Sequence, residues 1–425
     1  MRELKPLHVD ALVIGHGAAG LMAASSLAED NNVAVVGKGT TATSLSTGCV
    51  SYIRKDIFKQ EQGIIDLEAL ARSVHPFADI IERSSLTLEE VLPQVSSFLF
   101  RSLSDQGLEM TDDTFHFVDM LTNAGTRYAC SIAPTFTAAG RLDRLEGEQL
   151  ALLGISGQGD LDPELVAVMS ARELEGVKVR PHRYAMKGLK GRSGMTSAEV
   201  AFHLRPEGNL EELAAAIREL DEDHVAIPPL FELQRLHKGM SELSTTTGRN
   251  VFELVTPMSL PGQRLQEAME RAAVGHGCRL LKNHLVTKLE VHGARVAAAI
   301  IQTPTRVQRV TFNSVILATG DLVGGGLALQ GREVVDPFSA FKVGKFGEME
   351  TLPDQTGYDA AMRAFVEAGY LVTNDMRLLT REGKPFENAF GAGAALASFS
   401  FPTGVGLGGE LLTAWVAAEY AREVS

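Results

Sequence analysis

The chain holds three cysteines in 425 residues, Cys49, Cys130 and Cys278, and they lie far apart. That scarcity excludes a disulfide framework, a CxxC redox motif and a thiolate metal centre built from this chain alone. An iron–sulfur cluster would belong to another chain, no metal site is expected, and a reducing compartment is the expected setting. Long runs of one charge are missing too. The net charge of −13 is spread along the chain, which argues against nucleic acid or an anionic membrane surface as the main partner. The opening MRELKPLHVD carries both signs and lacks the apolar centre of a signal peptide, so a cytoplasmic location is expected. Residues 11–28 are uncharged, yet their glycines and Ser25-Ser26 suit a strand and helix better than a membrane span. Aromatic residues are few, but a 45% hydrophobic fraction over this length is enough for two or three cores and excludes a mainly disordered chain.

What is present starts with ALVIGHGAAG at 11–20. The run Ala11, Leu12, Val13, Ile14 suits a strand buried on both faces of a parallel sheet, and Gly15, Gly17 and Gly20 follow in GxGxxG order. In a dinucleotide turn the first glycine permits the turn and the second admits a pyrophosphate. The third lets the next helix pack on the strand, with its N-terminal N–H groups, including those of Ala18 and Ala19, facing the anion. A helix over 21–28 and a second buried strand at 33–36 supply the expected context. The next residue breaks the pattern. An Asp or Glu ordinarily stands there to bind the adenosine ribose, and this chain has Gly37. Either that ribose is held by backbone or by hydroxyls near Lys38 and Thr40, or the nucleotide lacks an adenosine.

Further along, 39–50 (GTTATSLSTGCV) has loop composition, suited either to a solvated turn or to donating hydroxyl and backbone groups to a ligand; Ser46, Thr47 and Gly48 are its candidates. Helix-like segments follow at 67–73 and 86–103, interrupted by His75-Pro76 and Pro93. A strand at 148–155, a helix at 162–172 opened by Asp162-Pro163, a strand at 177–184, a helix at 210–220 and a strand at 225–228 imply a second, smaller parallel sheet. Gly154, Gly157 and Gly159 are in the wrong order for another dinucleotide turn and are read as a strand-to-helix turn. Residues 244–249 (STTTGR) read as a loop, 251–255 as a strand, and 263–274 as a helix with Arg264 in its first turn. Strands are expected at 279–286 and 288–302. SVILATG then ends at Gly320, NAFGAG ends at Gly393, and TGVGLGG at 403–409 carries Gly404, Gly406, Gly408 and Gly409 into a last helix at 410–423. Strands near 12, 34, 281, 316 and 390 are expected to form one sheet. The division is therefore 1–54 and 257–425 as a discontinuous nucleotide-binding domain, with 55–256 inserted and a βαβαβ unit at 148–230.

The glycine turn, ATG at 318–320 and the late GAG before a glycine-opened helix resemble the two-dinucleotide-binding-domain flavoproteins, which implies a Rossmann-like FAD/NAD(P)-binding α/β fold. Within that superfamily the chain resembles the B subunits of anaerobic glycerol-3-phosphate dehydrogenase. The likeness is carried by SLSTG at 44–48, His75-Pro76-Phe77, LTNAGTR at 121–127 and GISG at 154–157. PMSLPGQRL at 257–265, ATGDLVGGGL at 318–327 and ENAFGAG at 387–393 complete it. The resemblance implies FMN, an FAD-bearing catalytic partner and an iron–sulfur partner that docks at the membrane. It further implies oxidation of sn-glycerol 3-phosphate to dihydroxyacetone phosphate, with electrons passed to a quinone. The residues themselves lean differently, since a full GxGxxG turn suits the pyrophosphate of FAD, which FMN lacks.

Alcohol oxidation needs a hydride acceptor, a base and cations for the phosphate. His75 is the candidate base, and Arg127, Arg249, Arg264 and Arg332 are candidate phosphate ligands in turn-like segments. No two of these stand at a spacing that forces convergence, which favours an electron-relay or supporting role. Two alternatives stand beside it: a self-sufficient FAD enzyme of the fumarate reductase or aspartate oxidase type, and a flavin-free structural subunit.

Overall fold

The computed structural model describes residues 2–3, 7–52, 87–111, 116–174, 176–303, 305–331, 333–344, 368–399 and 406–425. Its larger sheet is assembled from both ends of the sequence. Strand β1 (Leu7–Ile14) lies between β2 (Val33–Gly37) and the long β12 (Arg306–Leu317), all parallel, and β9 (Arg279–Lys282) extends the sheet beyond β2. The other edge of β12 serves two neighbours. Its first half pairs antiparallel with β11 (Arg295–Gln302), which in turn pairs with β10 (Leu285–His292). Its last residues, Val315 to Leu317, pair parallel with Ala389 to Gly391 of β13 (Pro385–Gly391).

Alternation along these strands decides the layers. Ala11, Val13, Val33, Val35 and Ile316 face a helical layer that includes α1 (Ala18–Leu27), α7 (Leu260–Gly275) and α8 (Leu407–Arg422). Leu12, Ile14, Ala34, Val36, Val315 and Leu317 face the opposite way and pack against the β10–β11 hairpin and the segment around Tyr370. Period-two side chains on a doubly covered parallel sheet give this two-sided core.

The smaller sheet comes from the middle of the chain and is wholly parallel. Its spatial order is β6 (Lys178–Tyr184), β5 (Gln149–Ile155), β7 (His224–Ile227), β8 (Asn250–Glu253). Helix α3 (Pro163–Glu173) begins at Asp162, whose carboxylate accepts from the N–H groups of Glu164 and Leu165, and it crosses between β5 and β6. Helix α5 (Glu207–Arg218) lies between β6 and β7 in sequence. The strand at 251–255 thus joins the smaller sheet as its fourth member.

Four readings of the sequence are corrected. Residues 244–247 are the end of a helix, α6 (Leu233–Thr247), and Gly248 closes it with φ 67°. Its buried Leu233, Leu236, Met240 and Leu243 carry helical spacing, which the terminal run of threonines obscured. Pro93 does not interrupt α2 (Leu88–Ser104). It lies on the exposed side, where water can serve the carbonyl it leaves unbonded, and the reciprocal Thr87–Glu90 capping box secures the start. The strand expected over 279–286 is broken at Asn283, whose φ of 59° separates the parallel β9 from the antiparallel β10. The last helix begins at Leu407, so Gly408 and Gly409 stand in its first turn. Among the described residues no helix is long and apolar enough to cross a membrane.

Candidate functional site

The C-terminal ends of β1, β2, β12 and β13 converge. Gly15 N donates to Val36 O at 2.8 Å, Ala318 N to Ile14 O at 2.8 Å, and Ala392 N to Leu317 O at 2.9 Å. Three glycine-bearing turns are thereby tied into one floor at the edge where open α/β sheets take ligands.

The three glycines of the first turn divide as the motif requires. Gly15 has φ 119°, and a Cβ there would lie 1.9 Å from Ala318 O. A Cβ on Gly20 would lie 2.0 Å from Gly15 O. Both approaches are to backbone, so neither residue tolerates a side chain. Gly17 differs: the nearest atom to its added Cβ is Thr43 Oγ1 at 3.5 Å, which leaves its face open to a ligand. The first turn of α1 carries no acidic side chain, and its N-cap, Gly17, contributes no side-chain cap. Thr43 Oγ1 accepts from Ala18 N at 2.8 Å, whereas the N–H groups of Ala19 and Gly20 have no acceptor among the described residues. A helix N-terminus with uncompensated donors favours an anion. A diphosphate therefore fits this turn.

Helix α8 adds a second N-terminus to the same floor. A Cβ on Gly393, at φ 68°, would lie 2.6 Å from Ala19 Cβ, and one on Gly408 would lie 2.4 Å from Ser51 O. Gly393 N donates to Thr413 Oγ1 at 2.9 Å, and that hydroxyl donates to Gly409 O at 2.7 Å. Gly406 is the N-cap of α8. In the first turn of this helix Glu410 is pushed up to about 7, first by burial and then by the Asp321 carboxylate. Asp321 belongs to the turn after Gly320, whose φ is 78°, and its Oδ1 accepts from Gly324 N at 2.8 Å. Thr319 Oγ1 is buried there with no hydrogen-bond partner among the described residues.

The loop after β2 completes the rim. Ser46 Oγ donates to Thr43 O at 2.7 Å, and Thr47 Oγ1 donates to Tyr128 Oη at 3.2 Å. Gly48, at φ 72°, lies so close to α7 that a Cβ would stand 2.9 Å from Pro261 O. Lys38 is exposed at the start of the loop.

The arginines disperse. Arg264 is buried in α7, where it donates to Glu253 through Nη1 at 2.6 Å and Nη2 at 2.8 Å, and to Phe231 O through Nε at 2.6 Å. Its place is a link between α7 and β8. Arg127 pairs with Asp119 at 3.1 Å near the surface, and Arg249 pairs with Asp223 at 2.6 Å. His75, Arg332 and Gly404 lie outside the described residues. Sequence reasoning missed His16, Thr43, Gln266, Glu410 and Thr413. Only Glu410, an acidic residue just after a glycine run and ahead of an apolar helix, carried a local signal.

Similarity to known proteins runs along nearly the whole chain. It is 23% identical over 97% of its length, and 99% of the relative, to the B subunit of the anaerobic glycerol-3-phosphate dehydrogenase of Actinobacillus pleuropneumoniae. It is 25% identical to the protein of the same name from Yersinia enterocolitica, over 96% of this chain and 97% of the relative. Among solved structures it is similar to 3-ketosteroid delta1-dehydrogenase from Sterolibacterium denitrificans, with 12% identity, a TM-score of 0.44, and coverage of 98% of this chain and 100% of that one. Residues 10–66 and 167–380, more than half of the chain, match the family model described as FAD binding domain, and the chain belongs to that family.

Proposed function

We propose that this chain is an FAD-dependent oxidoreductase subunit working in the oxidation of sn-glycerol 3-phosphate to dihydroxyacetone phosphate. The observation that carries this reading is the end-to-end likeness to glycerol-3-phosphate dehydrogenase B subunits, with 96–97% of this chain aligned, joined to a floor whose glycines are spaced for a diphosphate. FAD replaces the FMN that the resemblance alone implied, because the family model is that of an FAD domain and the open face of Gly17 beside free helix donors suits a pyrophosphate.

When bound, the flavin supplies hydride acceptance. The chain's own residues bind and orient. Ala19 and Gly20 offer N–H groups to the pyrophosphate, and Thr43, Ser46, Thr47 and Gly48 line the approach. Gly320, Gly393, Gly406, Gly408 and Gly409 keep side chains away from the ring. Glu410 is placed to hold a proton near the N-terminus of α8 at neutral pH. His75 remains the candidate base.

The relay role is favoured over a self-sufficient enzyme by the arginines, since Arg127, Arg249 and Arg264 are each paired with a carboxylate. The partners in this reading are an FAD-bearing catalytic subunit and an iron–sulfur subunit that docks at the membrane and leads to the quinone pool. The domain division at 54 and 257 belongs to the same reading: the discontinuous nucleotide domain holds the flavin, and 55–256 is inserted into it.

The test is to purify the chain alone, release its chromophore by denaturation and identify it by mass. The intact protein is then titrated with glycerol 3-phosphate without oxygen, alone and with its partner subunits. FAD that bleaches only with partners present supports the relay. FAD that bleaches in the isolated chain makes it a dehydrogenase in its own right, FMN overturns the choice of flavin, and a colourless protein leaves the structural subunit.

A further inference from the structure

Gly37 stands where an acidic side chain ordinarily receives the adenosine ribose, and something else fills its place. A Cβ added to Gly37 would lie 1.9 Å from His16 Nδ1 and 2.4 Å from His16 Cγ. The imidazole thus occupies the volume that a side chain at 37 would need. It comes from the middle of the glycine turn, and the bond from Gly15 N to Val36 O sets the two strand ends side by side.

The backbone that carries the ring is tied to α7 by a polar network. Gln266 Nε2 donates to His16 O at 2.8 Å and to Glu270 Oε1 at 2.9 Å. Thr41 Oγ1 donates to Gln266 Oε1 at 2.7 Å, and Lys282 Nζ donates to Glu270 Oε2 at 2.7 Å. These groups satisfy one another. The His16 ring nitrogens, by contrast, have no hydrogen-bond partner among the described residues, although the residue is only 6% exposed. Burial lowers the His16 pKa first, Glu270 opposes it and Lys282 adds to it. A neutral imidazole has one donor and one acceptor, and its acceptor can take the hydrogen bond of a ribose hydroxyl that a carboxylate ordinarily takes.

We propose that His16 holds the adenosine ribose of the bound dinucleotide, and that residue 37 is glycine because the imidazole needs its space. This rests on the FAD reading above.

The experiment uses the full chain stripped of flavin and titrated with FAD, FMN and ADP, by flavin fluorescence and by calorimetry. Circular dichroism checks the fold of every variant. With the wild type binding FAD, His16→Ala is expected to weaken FAD and ADP about tenfold, the loss of one such hydrogen bond, and to leave FMN unchanged. Gly37→Glu alone collides with the ring and weakens FAD as well. His16→Ala combined with Gly37→Glu restores FAD binding, because the carboxylate then has both room and target. Unchanged FAD affinity in His16→Ala, or a double variant no better than either single one, overturns the proposal. A wild type that binds no FAD at all overturns the FAD reading itself, a result distinct from both.

Discussion

Replacing Arg264 by methionine separates a structural arginine from a phosphate ligand. Arg264 and Glu253 have side chains only 2% and 1% exposed. Three hydrogen bonds of 2.6 to 2.8 Å leave Arg264 for Glu253 and Phe231 O. Removing the guanidinium strands a carboxylate in the core, which costs about 3–5 kcal/mol. Removing both charges, as Arg264→Met with Glu253→Met, eliminates the stranded ion. What remains is the unserved Phe231 carbonyl, at about 1–2 kcal/mol. The double variant is therefore expected to be more stable than Arg264→Met by about 2 kcal/mol or more, with flavin content per folded molecule equal to wild type. Urea unfolding followed by circular dichroism, run as a double-mutant cycle, measures the first quantity, and absorbance of the released flavin measures the second. Additive losses in the cycle would refute the ion-pair account. A folded double variant that has lost its flavin would return Arg264 to the binding site.

Other consequences are as direct. Gly15→Ala and Gly20→Ala drive a Cβ into backbone oxygen at 1.9 and 2.0 Å and are expected to abolish soluble, flavin-loaded protein. Gly17→Ala, with 3.5 Å of clearance, is expected to fold with an unchanged melting curve and to bind flavin more weakly; equal behaviour of all three variants would contradict the site. Glu410, raised from 4.5 to about 7 by burial and then by Asp321, binds its proton more tightly folded than unfolded. Its contribution to stability is full below pH 4.5 and is lost as the pH rises to about 7. After discounting for its partial exposure this amounts to about 2 kcal/mol. Glu410→Gln is expected to flatten the slope of urea midpoints across that window, and an unaltered slope would reject the assignment. Cys49, Cys130 and Cys278 are buried, and burial with the neighbouring Cys49 thiol pushes Cys130 well up. Iodoacetamide at pH 8 is expected to label them only after unfolding, as read by intact mass.

Local residue chemistry settles the elements and the order in which they meet. Uninterrupted apolar runs ending in glycine, at Ile14-Gly15, Ala318 to Gly320 and Phe390 to Gly393, named the strands of the larger sheet and its ligand edge, because a strand buried on both faces has no room for polar residues and a close backbone approach has none for Cβ. The same reasoning found the βαβαβ unit, and the Asp162-Pro163 start was legible because capping is a local affair. Helix α6 was lost because its threonine-rich end has weak propensity, and burial of Leu236, Met240 and Leu243 decides the matter. The rest depends on contacts between distant segments. Gly37 reads as a missing carboxylate until His16 is seen lying against it. Arg264 reads as a phosphate ligand until Glu253 of the smaller sheet is found beneath it. Glu410 titrates where it does because of burial and an aspartate far away in sequence. A run of residues records its own periodicity and turn chemistry, whereas the partner of a buried charge or imidazole is set by which distant segments share a strand end, and no local pattern encodes that.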